Sequence, residues 1–162
     1  MLGLLIGSAS LFLSSAGLAP APATDTWQTY GNVRFDYRIC YPANLLHAQP
    51  EAANGDGRVF LAADSAKLTV FGRNNAEEST LSETAAEHAS DLTGSKGSVR
   101  YRVVRRNWAV SSGDDGGSML FYTKTILRDD QFILFDLVYP EALAARYKPV
   151  VEQLARCFAA RG

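Results

Sequence analysis

Phe132-Ile133-Leu134-Phe135-Asp136-Leu137-Val138-Tyr139 is apolar at both odd and even positions, interrupted only by Asp136. A strand with apolar side chains on both faces needs a covering layer on each side. Upstream, Met119 to Arg128 reads as a long strand joined to it through a tight Asp129-Asp130 turn. Before that, Trp108 and Val110 open a strand that stops at Ser111-Ser112-Gly113, and Asp114 to Gly117 forms a tip. Val99, Tyr101 and Val103 alternate with Arg100, Arg102 and Val104, and Arg106-Asn107 turns the chain. Alternation with a period of two marks strands, so the second half is a meander.

The first half adds shorter pieces. Thr24 to Asn32 is a lead-in, and Val33, Phe35, Tyr37, Ile39 and Tyr41 then alternate with polar residues up to Pro42, which ends the strand. Gln49 to Gly57 reads as a polar loop closing on Asn54-Gly55-Asp56-Gly57, a turn signal. Arg58 to Ala62 and Lys67 to Gly72 are short strands around Asp64-Ser65. Thr80-Leu81-Ser82-Glu83 fits a capping box, followed by Leu81, Ala85, His88, Ala89 and Leu92 at helical spacing and Gly94 as a stop. Ser95 to Ser98 is a flexible link. A last helix is expected to start near Pro149, with Val150, Val151, Leu154 and Phe158 as its apolar stripe and Leu143 and Tyr147 in the approach. The expected class is α+β: a central, mostly antiparallel sheet of about seven strands with helices packed on its faces, an α/β/α sandwich.

The 162 residues suit one domain. With 16 basic against 17 acidic side chains and 47% hydrophobic residues, wholesale disorder is excluded, and no general affinity for nucleic acid or anionic lipid is expected. Met1 to Ala23 carry no charged side chain and end in Ala21-Pro22-Ala23, small residues of the kind a signal peptidase accepts. Residues 1–23 are therefore expected to be a cleaved signal peptide, although no Lys or Arg opens the segment. Residues 24–162 form the single domain, periplasmic or secreted, with no stable membrane insertion after cleavage. The rival reading, an uncleaved anchor, is weakened by the glycines, serines and prolines that dilute the run.

In an exported chain an even cysteine count favours a disulfide, and Cys40 and Cys157 are the only two. A redox pair would need Cys-x-x-Cys or a histidine beside a thiol, and neither is present. Bridging would clamp the last helix to the end of the first strand.

Ile39-Cys40-Tyr41-Pro42, the short strand pair, the helix, a meander ending Tyr139-Pro140, then Tyr147-x-Pro149-Val150-Val151 leading to Cys157-Phe158 together resemble the PsbP-like domains. The resemblance covers roughly residues 30 to 160. It implies a central antiparallel sheet with helices on both sides and a role as a binding subunit. It carries no catalytic position with it.

The chemistry agrees. Hydrolytic catalysis commonly pairs a nucleophile with a histidine base. Only His47, in a loop, and His88, at the rim of the helix's apolar side, are available, and no G-x-S-x-G or H-E-x-x-H occurs. No metal and no cofactor are expected: Asn54 to Gly57 lacks the later glutamate of a calcium loop, and Ser111 to Gly117 lacks the lysine and helix of a phosphate cradle. Asp136 is expected to pair with an arginine or with Lys124. Arg34, Arg38, Arg100 and Arg102 are the candidate binding residues. Aligned across strands they would form a basic stripe for an acidic partner or anion, and otherwise a solvated face paired with Asp36 and nearby acids. The leading expectation is an exported, non-catalytic domain that binds another envelope protein or serves as a structural subunit. The alternative is a small-ligand or anion-binding module on an arginine-lined sheet face, and a hydrolase ranks last.

Overall fold

The computed structural model describes residues 24–160, so the expected signal segment lies outside the described residues. The strands are β1 (Trp27–Asn32), β2 (Tyr37–Pro42), β3 (His47–Glu51), β4 (Gly57–Leu61), β5 (Lys67–Asn74), β6 (Ser98–Val104), β7 (Trp108–Asp114), β8 (Met119–Arg128), β9 (Gln131–Pro140) and β10 (Ala159–Ala160). The helices are α1 (Leu81–Thr93) and α2 (Ala144–Cys157), the latter entered through a 3-10 turn at Glu141–Leu143. Seven strands form one sheet in the order β3-β4-β5-β9-β8-β7-β6, antiparallel throughout. A smaller sheet runs β1-β2-β10.

β9 is the central strand and is covered on both faces, as its apolar pattern requires. Ile133, Phe135 and Leu137 join Phe60, Leu68 and Val70 in the main core, closed by Tyr30, Tyr37 and Ile39 of the small sheet and Tyr147, Val150 and Leu154 of α2. Phe132 and Leu134 point the other way and meet Leu81 and Ala85 of α1. Full burial of a side chain such as Phe135 contributes about 1.5–3 kcal/mol. One covering layer is thus a helix, as expected, and the other is a helix together with a three-stranded sheet.

Several local expectations need correction. The lead-in is strand β1. Val33 to Asp36 are not strand but the turn that returns the chain into β2: Val33 is 96% exposed and Asp36 has φ 41°. The reach from Gln49 is not all loop, because β3 pairs with β4 there. α2 begins five residues before Pro149, which sits inside it. Pro149 gives up the bond to the Ala145 carbonyl and crowds it with its ring, and Ala145 is exposed to water.

α1 begins as its capping box dictates. Thr80 Oγ1 accepts from the Glu83 amide at 3.2 Å, and Glu83 Oε2 accepts from the Thr80 amide at 2.9 Å. The bond from the Thr80 amide, and after it one from the Thr80 hydroxyl to the same Glu83 Oε2 at 2.7 Å, hold the Glu83 carboxyl below its usual range. Thr80→Ala removes a cap worth about 1 kcal/mol. The expected result is a loss of that size in urea unfolding, with an unchanged slope against denaturant; an unaltered midpoint would show that the cap is not formed in solution.

Candidate functional site

The four candidate arginines do not form one stripe. Arg34, in the β1–β2 turn, donates to the Asn54 carbonyl beside the β3–β4 turn, and its guanidinium lies 5.2 Å from the centroid of the Phe35 ring. Arg38 is exposed on β2, opposite Gly31 on one side and Ala159 on the other. Arg100 and Arg102 lie on β6, at the far edge of the large sheet from β3 and β4. A register shift between Val99 and Tyr101 breaks the alternation of β6. Arg100 Nε donates to Asp114 Oδ2 at 2.9 Å, whereas Arg102 Nε donates to Ser111 Oγ at 3.4 Å. Asp114 and Ser111 are three apart on β7, so the two arginines address opposite faces. Ser98 and the Gly116 amide, with Arg100, hold the Asp114 carboxyl below its usual range.

What the arginines do mark is the edge itself. Among the described residues β6 pairs only with β7, and six of its seven residues are exposed. Among them are three large apolar side chains: Val99 (36%), Tyr101 (54%) and Val104 (36%). Arg105, stacked 5.8 Å from the Trp108 ring centroid, and exposed Arg106 continue the positive charge past the strand end. The opposite edge, β3, reads His-Ala-Gln-Pro-Glu, has no large apolar residue and contains a proline and a register shift.

A second constellation lies under α1. His88 Nε2 and Asp136 Oδ1 form a hydrogen-bonded ion pair, with the Phe71 ring edge-on to the imidazole at 5.9 Å. Asp136 is 6% exposed. Its expected pairing with an arginine or Lys124 is not what forms, for a reason of register. Asp136 faces α1, whereas Lys124 sits opposite Phe135, on the other face of the sheet, and donates to the Ala155 carbonyl near the end of α2 at 2.8 Å. Burial pushes the Lys124 ammonium down from its usual value. Burial also pulls His88 down, but the hydrogen bond and charge of Asp136 and the charge of Asp91 outweigh it, and its pKa is raised overall. A cavity of about 210 Å³ beside the pair is lined by Phe71, Arg73, Glu87, His88, Asp91 and Leu134. That lining offers no hydroxyl or thiol for the imidazole to activate. No cluster of three or more His, Cys, Asp or Glu able to hold a metal occurs among the described residues.

Cys40 and Cys157 are joined, with their Cα atoms 5.8 Å apart, so β2 is clamped to the last turn of α2 as expected. No helix among the described residues is long and apolar enough to cross a membrane.

No protein-family model and no curated protein matches the sequence. The solution structure of cyanobacterial PsbP from Synechocystis sp. PCC 6803 matches 91% of this chain and 100% of its own, with a TM-score of 0.64 and 16% identity. The chain has a PsbP-like fold. At that identity the likeness establishes architecture alone, which is what the sequence resemblance implied for the fold. A crystal structure of a Pseudomonas aeruginosa protein of unknown function, described as a putative regulator, matches 88% of each chain with a TM-score of 0.50 and 9% identity. In this PsbP-like fold the β6 edge lies at one end of the large sheet, and the His88–Asp136 pair lies between that sheet and α1.

Proposed function

We propose that the protein is an exported, non-catalytic binding domain that docks another envelope protein through the β6 edge of its sheet. The observation that carries this reading is the edge: an exposed strand holding Val99, Tyr101 and Val104 among arginines. Exposed apolar side chains grouped with arginine are the composition of interaction surfaces. The Cys40–Cys157 bridge supports an oxidising compartment. The alternative, an anion-binding face shared by the four arginines, is less well supported, because Arg34 and Arg38 belong to the small sheet and its turn while Arg100 and Arg102 lie on the edge strand of the large one.

A photo-crosslinking residue in place of Tyr101 tests this in intact cells, with the same residue in place of Ala48 on β3 as control. We expect one discrete protein adduct from position 101, none from 48, and loss of the adduct in Arg100→Glu/Arg102→Glu. No adduct at 101, or the same adducts from both positions, would refute the reading.

A further inference from the structure

The manner of docking follows from the ladder of β6, and rests on the reading of β6 as the binding edge. Arg105 donates its amide to the Trp108 carbonyl at 2.8 Å, and the next pairs inward are Val104 with Ala109 and Val103 with Val110. Antiparallel pairs alternate between bonded and non-bonded. Val103 and Tyr101 therefore turn their amides toward β7, and Arg102 and Val104 turn theirs out toward solvent. An outward row of backbone groups is a template for one more strand.

Charge decides which strand. Arg100 and Arg102 on β6, with Arg105 and Arg106 just beyond it, have Asp114 as the one acidic side chain hydrogen-bonded among them within the described residues. A second copy of the chain pairing through β6 would set arginines against arginines, which opposes association. The register shift and the charges thus protect the edge against its own kind while leaving it open to opposite charge. We infer that β6 accepts, by strand addition, an extended acidic segment of the partner protein, with an apolar residue of that segment lying beside Tyr101. Val99 and Val104 on the face of Arg102, and Tyr101 on the opposite face, give an added strand apolar contact on both sides.

The test uses the folded domain with its disulfide intact and a synthetic peptide of about seven residues, alternating Glu and Thr around a central Val. Two further peptides serve as controls, one with Lys in place of Glu and one with Pro inserted at alternate positions but the same charge. Amide hydrogen exchange is read residue by residue. With the Glu peptide, the Arg102 and Val104 amides are expected to slow at least tenfold, with no such effect from either control. Val104→Pro removes an outward donor while leaving the ladder to β7, and is expected to weaken peptide binding at least tenfold in a protein whose spectrum is otherwise native. Arg102→Glu, which keeps the donor, is expected to weaken it comparably. Equal protection by the Pro-containing peptide would reduce the edge to a patch of charge and overturn strand addition, as would equal protection by the Lys peptide or self-association through β6. Crosslinks from position 101 without slowed Arg102 and Val104 amides would overturn strand addition alone. Loss of both would overturn the binding reading too.

Discussion

Reducing the Cys40–Cys157 bridge is expected to lower stability by about 4–5 kcal/mol, the chain-entropy figure for so long a loop. The bridged residues are 117 apart, so the closed loop spans most of the described chain. In the folded protein the bridge joins β2 to the end of α2, and β10, immediately after it, completes the small sheet by pairing with β2. Without it, α2 and β10 are held by the packing of Tyr147, Val150, Leu154 and Phe158, by the pairing of β10 with β2, and by the polar contacts of Tyr147 with Asp64, Arg146 with Asp25 and Lys124 with the Ala155 carbonyl. Domains of this kind have only about 5–15 kcal/mol in total, so the reduced protein is expected to be marginal at body temperature. Urea unfolding with and without a thiol reductant measures the difference. No other cysteine is present to confuse it. A loss below about 1 kcal/mol would mean that the bridge constrains little, contrary to the loop-closure argument.

The second large effect lies at His88. His88→Ala strands a carboxylate that is 6% exposed and has no other hydrogen-bond partner among the described residues. Breaking a buried pair from one side costs about 3–5 kcal/mol, because the remaining charge stays desolvated. The pair also gives a pH dependence of definite sign. The folded protein holds the His88 proton more tightly than the unfolded chain, whose imidazole titrates near 6.5. The stabilisation is therefore complete below pH 6.5 and is lost as pH rises through the higher folded value. Wild-type unfolding free energy is expected to fall over that interval, and His88→Gln is expected to remove that part of the slope. A wild-type profile that rises there, or a His88→Gln profile that keeps the fall, would contradict the assignment. The same variants report on function, since a pair that only supports the fold leaves crosslinking from position 101 unchanged in any variant that remains folded.

How much of this was legible in the sequence depended on whether the signal was local. β9 announced a two-sided strand because its apolar residues fill both parities, and α1 announced its start because Thr80 and Glu83 cap it reciprocally. β3 was invisible because a polar run with Pro50 at its edge reads as a loop, and only pairing with β4 makes it a strand. α2 starts earlier than its sequence suggests because Pro149 is favoured at a first turn, whereas the turn ahead of it, from Ala144, forms to bury Tyr147. His88 and Asp136 lie 48 residues apart, and no local pattern joins them. The available hint was that each is the polar exception on an otherwise apolar surface. Strict alternation would put Arg100 and Arg102 on one face, and a single extra residue in β6 separates them. The disulfide needed only two cysteines and a compartment.

That compartment underlies the rest, because a strand-docking edge serves only partners found on its own side of the membrane. Maleimide-polymer trapping of thiols in intact cells, followed by fractionation, is the most direct test. We expect mature chains in the periplasm or medium, with Cys40 and Cys157 both blocked from modification until a reductant is added. Chains of full length in the cytosol, with both cysteines modified at once, would contradict export and the role proposed for β6.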